Sequence, residues 1–181
     1  MKQDIKDVLY SQEAIQACVK AIAQRITDDY QGKDVLMIAV LKGANVFMCD
    51  LMREIPFPIE IDFIAATSYG KSTKSSGVVK IVKDLDYSIE GKDVIIVEDI
   101  IDTGLTLNYL IENFKSRSPR SLEICTLLDK PDRRIAPIKV KYSGFVIPDE
   151  FIVGYGIDYA EKYRNLPYIA TLKREVYQNS L

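Results

Sequence analysis

The sequence predicts an α/β fold, with a mainly parallel, twisted sheet flanked by helices. Two observations carry that expectation. The apolar runs at 35–41 (VLMIAVL) and 93–97 (DVIIV) do not alternate, as expected of strands buried on both faces. Each is followed by helical apolar spacing, at 44–55 and 105–115, and repeated strand-then-helix units call for a parallel sheet with crossovers. With 181 residues and neither repeat nor linker, the chain fits one domain.

The elements follow in order. Ser11 can cap a helix whose apolar positions Ile15, Cys18, Val19, Ile22 and Ile26 recur at helical spacing, ending near Gly32. After the strand at 35–41 comes Lys42-Gly43, then the second helix. Residues 59–66 alternate cleanly and predict another strand. The stretch TSYGKSTKSSG then drops all apolar content before VVKIV resumes at 78–82. The strand at 93–97 feeds the acidic turn and the helix at 105–115, which stops before Pro119. Residues 121–129 predict a further strand, and the charged loop KPDRR follows. The tail at 149–173 reads as a short strand, a glycine-rich turn, a helical turn and a last strand.

Composition excludes several kinds of chemistry. With no histidine, imidazole-based triads and HExxH zinc sites are impossible, so proton transfer falls to Asp, Glu, Lys, Tyr or Cys. Cys18, Cys49 and Cys125 lie far apart in apolar surroundings, which suits reduced thiols in the cytoplasm and not a zinc site. The N-terminus has no apolar signal segment and no run approaches membrane-spanning length. A net charge of −2 gives no global footprint for nucleic acid.

Ligands of such sheets gather beyond the carboxyl ends of the strands. Lys42-Gly43, the polar stretch 68–77, the segment 98–106, Lys130 and the tail near Asp158 all follow strands there. The segment VIIVEDIIDTGLTL (94–107) is the most unusual of these. Glu98, Asp99 and Asp102 crowd three carboxylates beside an apolar run, which calls for cations or hydroxyl-rich ligands between them. Thr103, Gly104, Leu105 and Thr106 stand at a helix start, where free N–H groups and the dipole favour phosphate. Asp102 or Thr103 could equally be a simple helix cap. The pair Glu98-Asp99 can accept hydrogen bonds from a vicinal diol or hold magnesium, and together with the cradle describes a ribose-5-phosphate site.

This stretch closely resembles the phosphoribosyl-diphosphate (PRPP) motif of the type I phosphoribosyltransferases. LKGA, SYG, LLDKP and PDEFIVGYGIDYAEKYRNLP follow in the order of the family's 6-oxopurine members, and the long tail match is the most specific. The resemblance implies that family's fold, with a core at about 30–140 and a small hood formed by the N-terminal residues and about 145–181. It implies purine salvage: transfer of 5-phosphoribosyl from PRPP to hypoxanthine or guanine, giving IMP or GMP and pyrophosphate.

Roles follow from the same match. Asp102 to Thr106 would hold the 5-phosphate, and Glu98 and Asp99 the ribose hydroxyls, directly or through Mg2+. Lys42 and Gly43 match the pyrophosphate loop, whose first peptide can be cis in the family, and Arg164 matches a second pyrophosphate contact. Phe151 resembles the ring that stacks on the purine, with Ile152 offering backbone contacts. Lys130 resembles the donor to O6, and Asp158 a second magnesium ligand beside the base and pyrophosphate. Asp102 matches the general base for purine N7. Ser68 and Tyr69 match a loop-closing pair that would make the polar stretch a lid. Leu105 and Ala44 depart from the animal members' lysine and second glycine without removing a catalytic group. A homodimer or homotetramer is the family's assembly. The rivals are a nucleotide-sensing regulator on the same fold, which needs a basic surface, and a magnesium-dependent phosphatase or receiver-like domain, which leaves Lys130 and Phe151 without a task.

Overall fold

The computed structural model describes residues 1–68 and 79–177. Six strands form the main sheet: β2 (Val35–Leu41), β3 (Glu60–Ser68), β4 (Val79–Lys83), β5 (Asp93–Ile101), β6 (Ser121–Asp129) and β7 (Tyr142–Val146). Their order is β4-β3-β2-β5-β6-β7, parallel throughout except for β4, which runs antiparallel to β3. The predicted apolar runs lie at its centre, with Met37, Ile38, Ile95 and Ile96 fully buried.

Helices cover both faces. The first, α1 (Gln12–Tyr30), starts where Ser11 Oγ accepts from the Ala14 N–H at 3.3 Å. Its stripe Ile15, Val19, Ile22 and Ile26 packs with α2 (Ala44–Arg53) over Met37, Ala39, Ile95 and Val97. On the other face α3 (Leu105–Lys115) buries Leu107, Leu110 and Phe114 against Leu36, Ile38, Val94 and Ile96. The alternation along β2 and β5 thus sends successive side chains to two separate cores.

The termini build a second, antiparallel sheet. Its order is β1 (Ile5–Tyr10), β9 (Ile169–Leu172), β8 (Ile152–Val153), and a short α4 (Arg174–Tyr177) follows. β1 and β7 escape the sequence patterns. In β1 the middle residues are exposed and two register shifts interrupt the pairing, so no clean period-two signal exists.

The tail corrects one expectation. No helical turn forms at 159–163; the chain makes a tight turn closed by paired hydrogen bonds between Tyr159 and Lys162. Ala160 and Glu161 occupy its centre at φ 50° and 64°, the left-handed geometry of a two-residue hairpin turn. Non-glycine residues hold these positions, so the usual sequence signal is absent.

Candidate active site

The strand order reverses between β2 and β5, which opens a crevice at their carboxyl ends. Glu98 and Asp99 lie inside β5, beyond the predicted end of that strand. As successive strand residues they leave on opposite faces, so Asp99 is directed to the α2 side. Glu98 is buried, and desolvation together with the neighbouring Asp99 charge pushes its pKa well above the usual carboxylate range. Burial likewise pushes Asp99 up to about 6, against a partly offsetting hydrogen bond from the Ile100 N–H.

The Asp99 shift has a measurable consequence. The folded protein holds this proton more tightly than the unfolded chain, whose value is 3.8. Its contribution to stability is therefore present at low pH and declines as pH rises from about 3.8 to about 6. Asp99→Asn removes that decline, a difference of about 2 kcal/mol between the two ends of the window. Urea titrations of both proteins from pH 4 to 7 measure it.

After β5 the chain turns at 102–104 into α3. Gly104 takes φ +77° at the helix N-cap and has no side chain with which to cap this end. Thr103 Oγ1 accepts a long hydrogen bond of 3.5 Å from the Leu105 N–H, so Thr103 takes up part of the capping role that the sequence left open to it. The first helical bond runs from the Asn108 N–H to the Gly104 carbonyl, leaving the helix start open toward an anion. The turn itself is braced: Thr103's carbonyl accepts from Ile135 and Ala136, and Asp102's carbonyl from Arg134 Nε at 3.1 Å.

Lys42 and Gly43 join β2 to α2, and the Leu41-Lys42 peptide is cis. Gly43 lies against Asp99, where a Cβ would stand 1.7 Å from Oδ2. Its carbonyl faces Gly156, whose own Cβ position is 2.2 Å from that oxygen. Arg164 Nη1 donates to the Gly156 carbonyl at 2.8 Å, and Nη2 pairs with Asp158 Oδ1 at 2.8 Å. Its Nε is buried and has no hydrogen-bond partner among the described residues. The acidic strand end, the Lys42 loop and the tail are therefore one continuous contact.

Beside them opens a cleft of about 800 Å3, whose lining includes Ile100, Asp102, Lys130, Phe151, Ile152 and Asp158. Lys130 is 7% exposed and donates to the Glu150 carbonyl at 2.7 Å, which fixes its ammonium at the wall. Phe151 is 39% exposed; Tyr177 stacks on it at 4.9 Å, and Tyr159 meets it edge-on. Ile152 is tied to Thr171 through β8–β9 pairing. Five residues singled out from the sequence thus share one cavity, though they come from three separate stretches of chain.

Other assignments fall elsewhere or outside. Glu98, Asp99 and Asp158 do not converge, for among the described residues no group of three acidic or thiol side chains could hold a metal. Ser68 is the last residue of β3, and Tyr69 with the polar stretch to residue 78 lies outside the described residues.

Two charged residues at the site escaped the sequence analysis. Arg133 Nε stands 2.9 Å from Asp102 Oδ1 and its Nη1 donates to Asp149 at 3.1 Å. Glu161 pairs with Lys42. Neither forms a motif, because each partner lies remote in sequence.

Comparison with known proteins agrees with this architecture. A family model described as the phosphoribosyl transferase domain matches residues 5–160. The hypoxanthine-guanine phosphoribosyltransferase of Bacillus subtilis (strain 168) is 56% identical over 179 residues, 99% of each chain. That of Mycobacterium tuberculosis (strain ATCC 25618 / H37Rv) is 54% identical, spanning 97% of this chain and 90% of its own. The crystal structure of a hypoxanthine phosphoribosyltransferase from Staphylococcus aureus superposes with a TM-score of 0.95 at 54% identity, covering 98% of this chain and 96% of that one. A parallel sheet with helices on both faces, a hood built from the termini and relatedness along nearly the whole length lead to one conclusion: this chain belongs to the type I phosphoribosyltransferase family.

Proposed function

We propose that this protein is a purine-salvage enzyme transferring the 5-phosphoribosyl group of PRPP to hypoxanthine or guanine, with IMP or GMP and pyrophosphate as products. The observation that carries it is the shared cleft: a carboxylate (Asp102), a buried ammonium (Lys130) and an exposed aromatic ring (Phe151) face one cavity. The full-length relatives named for this activity support it and disfavour the regulatory alternative.

In this reading the bond from ribose C1 to the pyrophosphate oxygen breaks as purine N9 bonds to C1, and the N7 proton passes to Asp102. Arg133 Nε, 2.9 Å from Asp102 Oδ1, holds this carboxylate in place at the cleft wall. The open start of α3, from Thr103 to Thr106, binds the 5-phosphate. The Lys42-Gly43 loop and Arg164, with its unused buried Nε, bind the pyrophosphate. Phe151 stacks on the base, and Ser68 and Tyr69 would serve a loop that excludes water.

Magnesium suits this donor set. Glu98 and Asp99 are carboxylates whose charge burial penalises, and a divalent cation relieves that cost. Mg2+ characteristically takes one or two carboxylates plus substrate oxygens, so no protein-only cage is needed. Among the described residues no three carboxylates could share one ion, so Glu98 or Asp99 on the strand side and Asp158 on the tail side would each offer one contact, with substrate oxygens completing the shell, and the metal would neutralise diphosphate charge. We further propose that the protein is cytoplasmic and assembles as a homodimer or homotetramer, which sedimentation would measure.

Pyrophosphate release from PRPP, followed in parallel with hypoxanthine, guanine, xanthine, adenine and uracil, tests the assignment. Turnover with the 6-oxopurines alone is expected, because Lys130 can only donate and the 6-amino group of adenine would oppose it. Lys130→Met is expected to reduce kcat/KM for hypoxanthine by about 100-fold and to narrow the preference over adenine. Equal turnover of adenine by the unaltered protein would end this assignment.

A further inference from the structure

Glu161 stands where the proposed reaction has no use for a carboxylate. Its Oε2 accepts from Lys42 Nζ at 2.9 Å and lies 3.4 Å from Arg164 Nη2. One anion thus sits between the ammonium of the pyrophosphate loop and the guanidinium of the tail, two cations that converge from residues far apart in the chain.

Most exposed ion pairs contribute little, because both side chains lose freedom. Here the carboxylate is held from its backbone. Ala160 and Glu161 are the left-handed pair of a tight turn, locked by the reciprocal Tyr159–Lys162 hydrogen bonds, and the Glu161 N–H donates to Asp158 Oδ2 at 2.9 Å. Such a turn offers few alternative placements. Next to it a cavity of about 550 Å3, lined by Glu161, Lys162, Tyr163 and Arg164, leaves space into which the side chain can swing.

We propose that Glu161 is an internal competitor of the diphosphate group: its carboxylate occupies Lys42 and Arg164 in the ligand-free protein, must be displaced when PRPP binds, and returns to them as pyrophosphate leaves. The inference rests on the assignment of these two residues to the pyrophosphate site. It adds to that assignment a residue that weakens product binding, which helps the site to empty after turnover.

The test is calorimetric titration of inorganic pyrophosphate, with magnesium chloride present, into the unaltered protein, Glu161→Gln, Glu161→Ala and Arg164→Met. Both Glu161 variants are expected to bind pyrophosphate about threefold more tightly, the gain shrinking at high salt as exposed charges are screened. Using two variants, with matched melting curves, separates the effect from misfolding. Unchanged or weaker binding in both would overturn the proposal and make Glu161 a brace for the turn. Arg164→Met is a separate control, expected to weaken pyrophosphate binding. If it does not, the pyrophosphate assignment fails, whereas a weakened Arg164→Met beside unimproved Glu161 variants refutes the competitor alone.

Discussion

Asp102→Asn is expected to lower kcat by 100- to 10,000-fold while leaving the KM values for PRPP and purine within about threefold. The asparagine is isosteric, and the turn is held by groups that the change does not touch. Arg134 Nε donates to the backbone carbonyl of residue 102, and Ile135 and Ala136 donate to that of Thr103. The phosphate cradle therefore keeps its shape. What disappears is the acceptor for the N7 proton, and the chain has no histidine to take its place. Steady-state kinetics with both substrates varied measures this, and a rise in the KM for PRPP with kcat intact would make Asp102 a phosphate-binding residue instead.

Residues in short contiguous motifs were legible, and those paired over long separations were not. The sequence pattern could place Asp102 and Lys130 on one edge because each follows a strand of an open parallel sheet, where the fold itself gathers ligands, whereas Phe151 was legible only through the family resemblance. Lys42-Gly43 was accessible for the same reason. Glu161 and Arg133 had no such marker. A glutamate in a polar tail and an arginine in a charged loop read as solvated surface, and only the folded chain brings them to Lys42 and Asp102. The tail turn misleads because the mixed apolar and charged residues at 159–163 mimic a helical spacing. The left-handed backbone at Ala160, Glu161 and Tyr163 is set by tertiary contacts, among them the Tyr163 hydroxyl donating to Asp4. The hood was only partly visible, since β1 acquires its identity by pairing with β9 more than 150 residues later.

The joint between hood and core yields the other large effect. Gly156→Ala is expected to destabilise the protein by about 3 kcal/mol and to raise the KM for PRPP at least tenfold. Residue 156 has φ +98°, a conformation that L side chains rarely adopt, and the added Cβ would stand 2.2 Å from the Gly43 carbonyl oxygen. A backbone carbonyl cannot swing aside as a side chain can. Either the tail lifts from the Lys42 loop, or the loop moves into Asp99, which already fills the space on its other side. Both routes disturb the surface assigned to pyrophosphate, so stability and substrate affinity should fall together. Gly91→Ala supplies the comparison, for it shares a positive φ of +72° with nothing within 4 Å of the new Cβ. It should cost about 1 kcal/mol from backbone strain alone and leave the KM unchanged. Equal losses in the two variants, read from urea midpoints and PRPP titrations, would mean that strain accounts for the whole effect. The contact between Gly43 and Gly156 would then not be what couples the hood to the site.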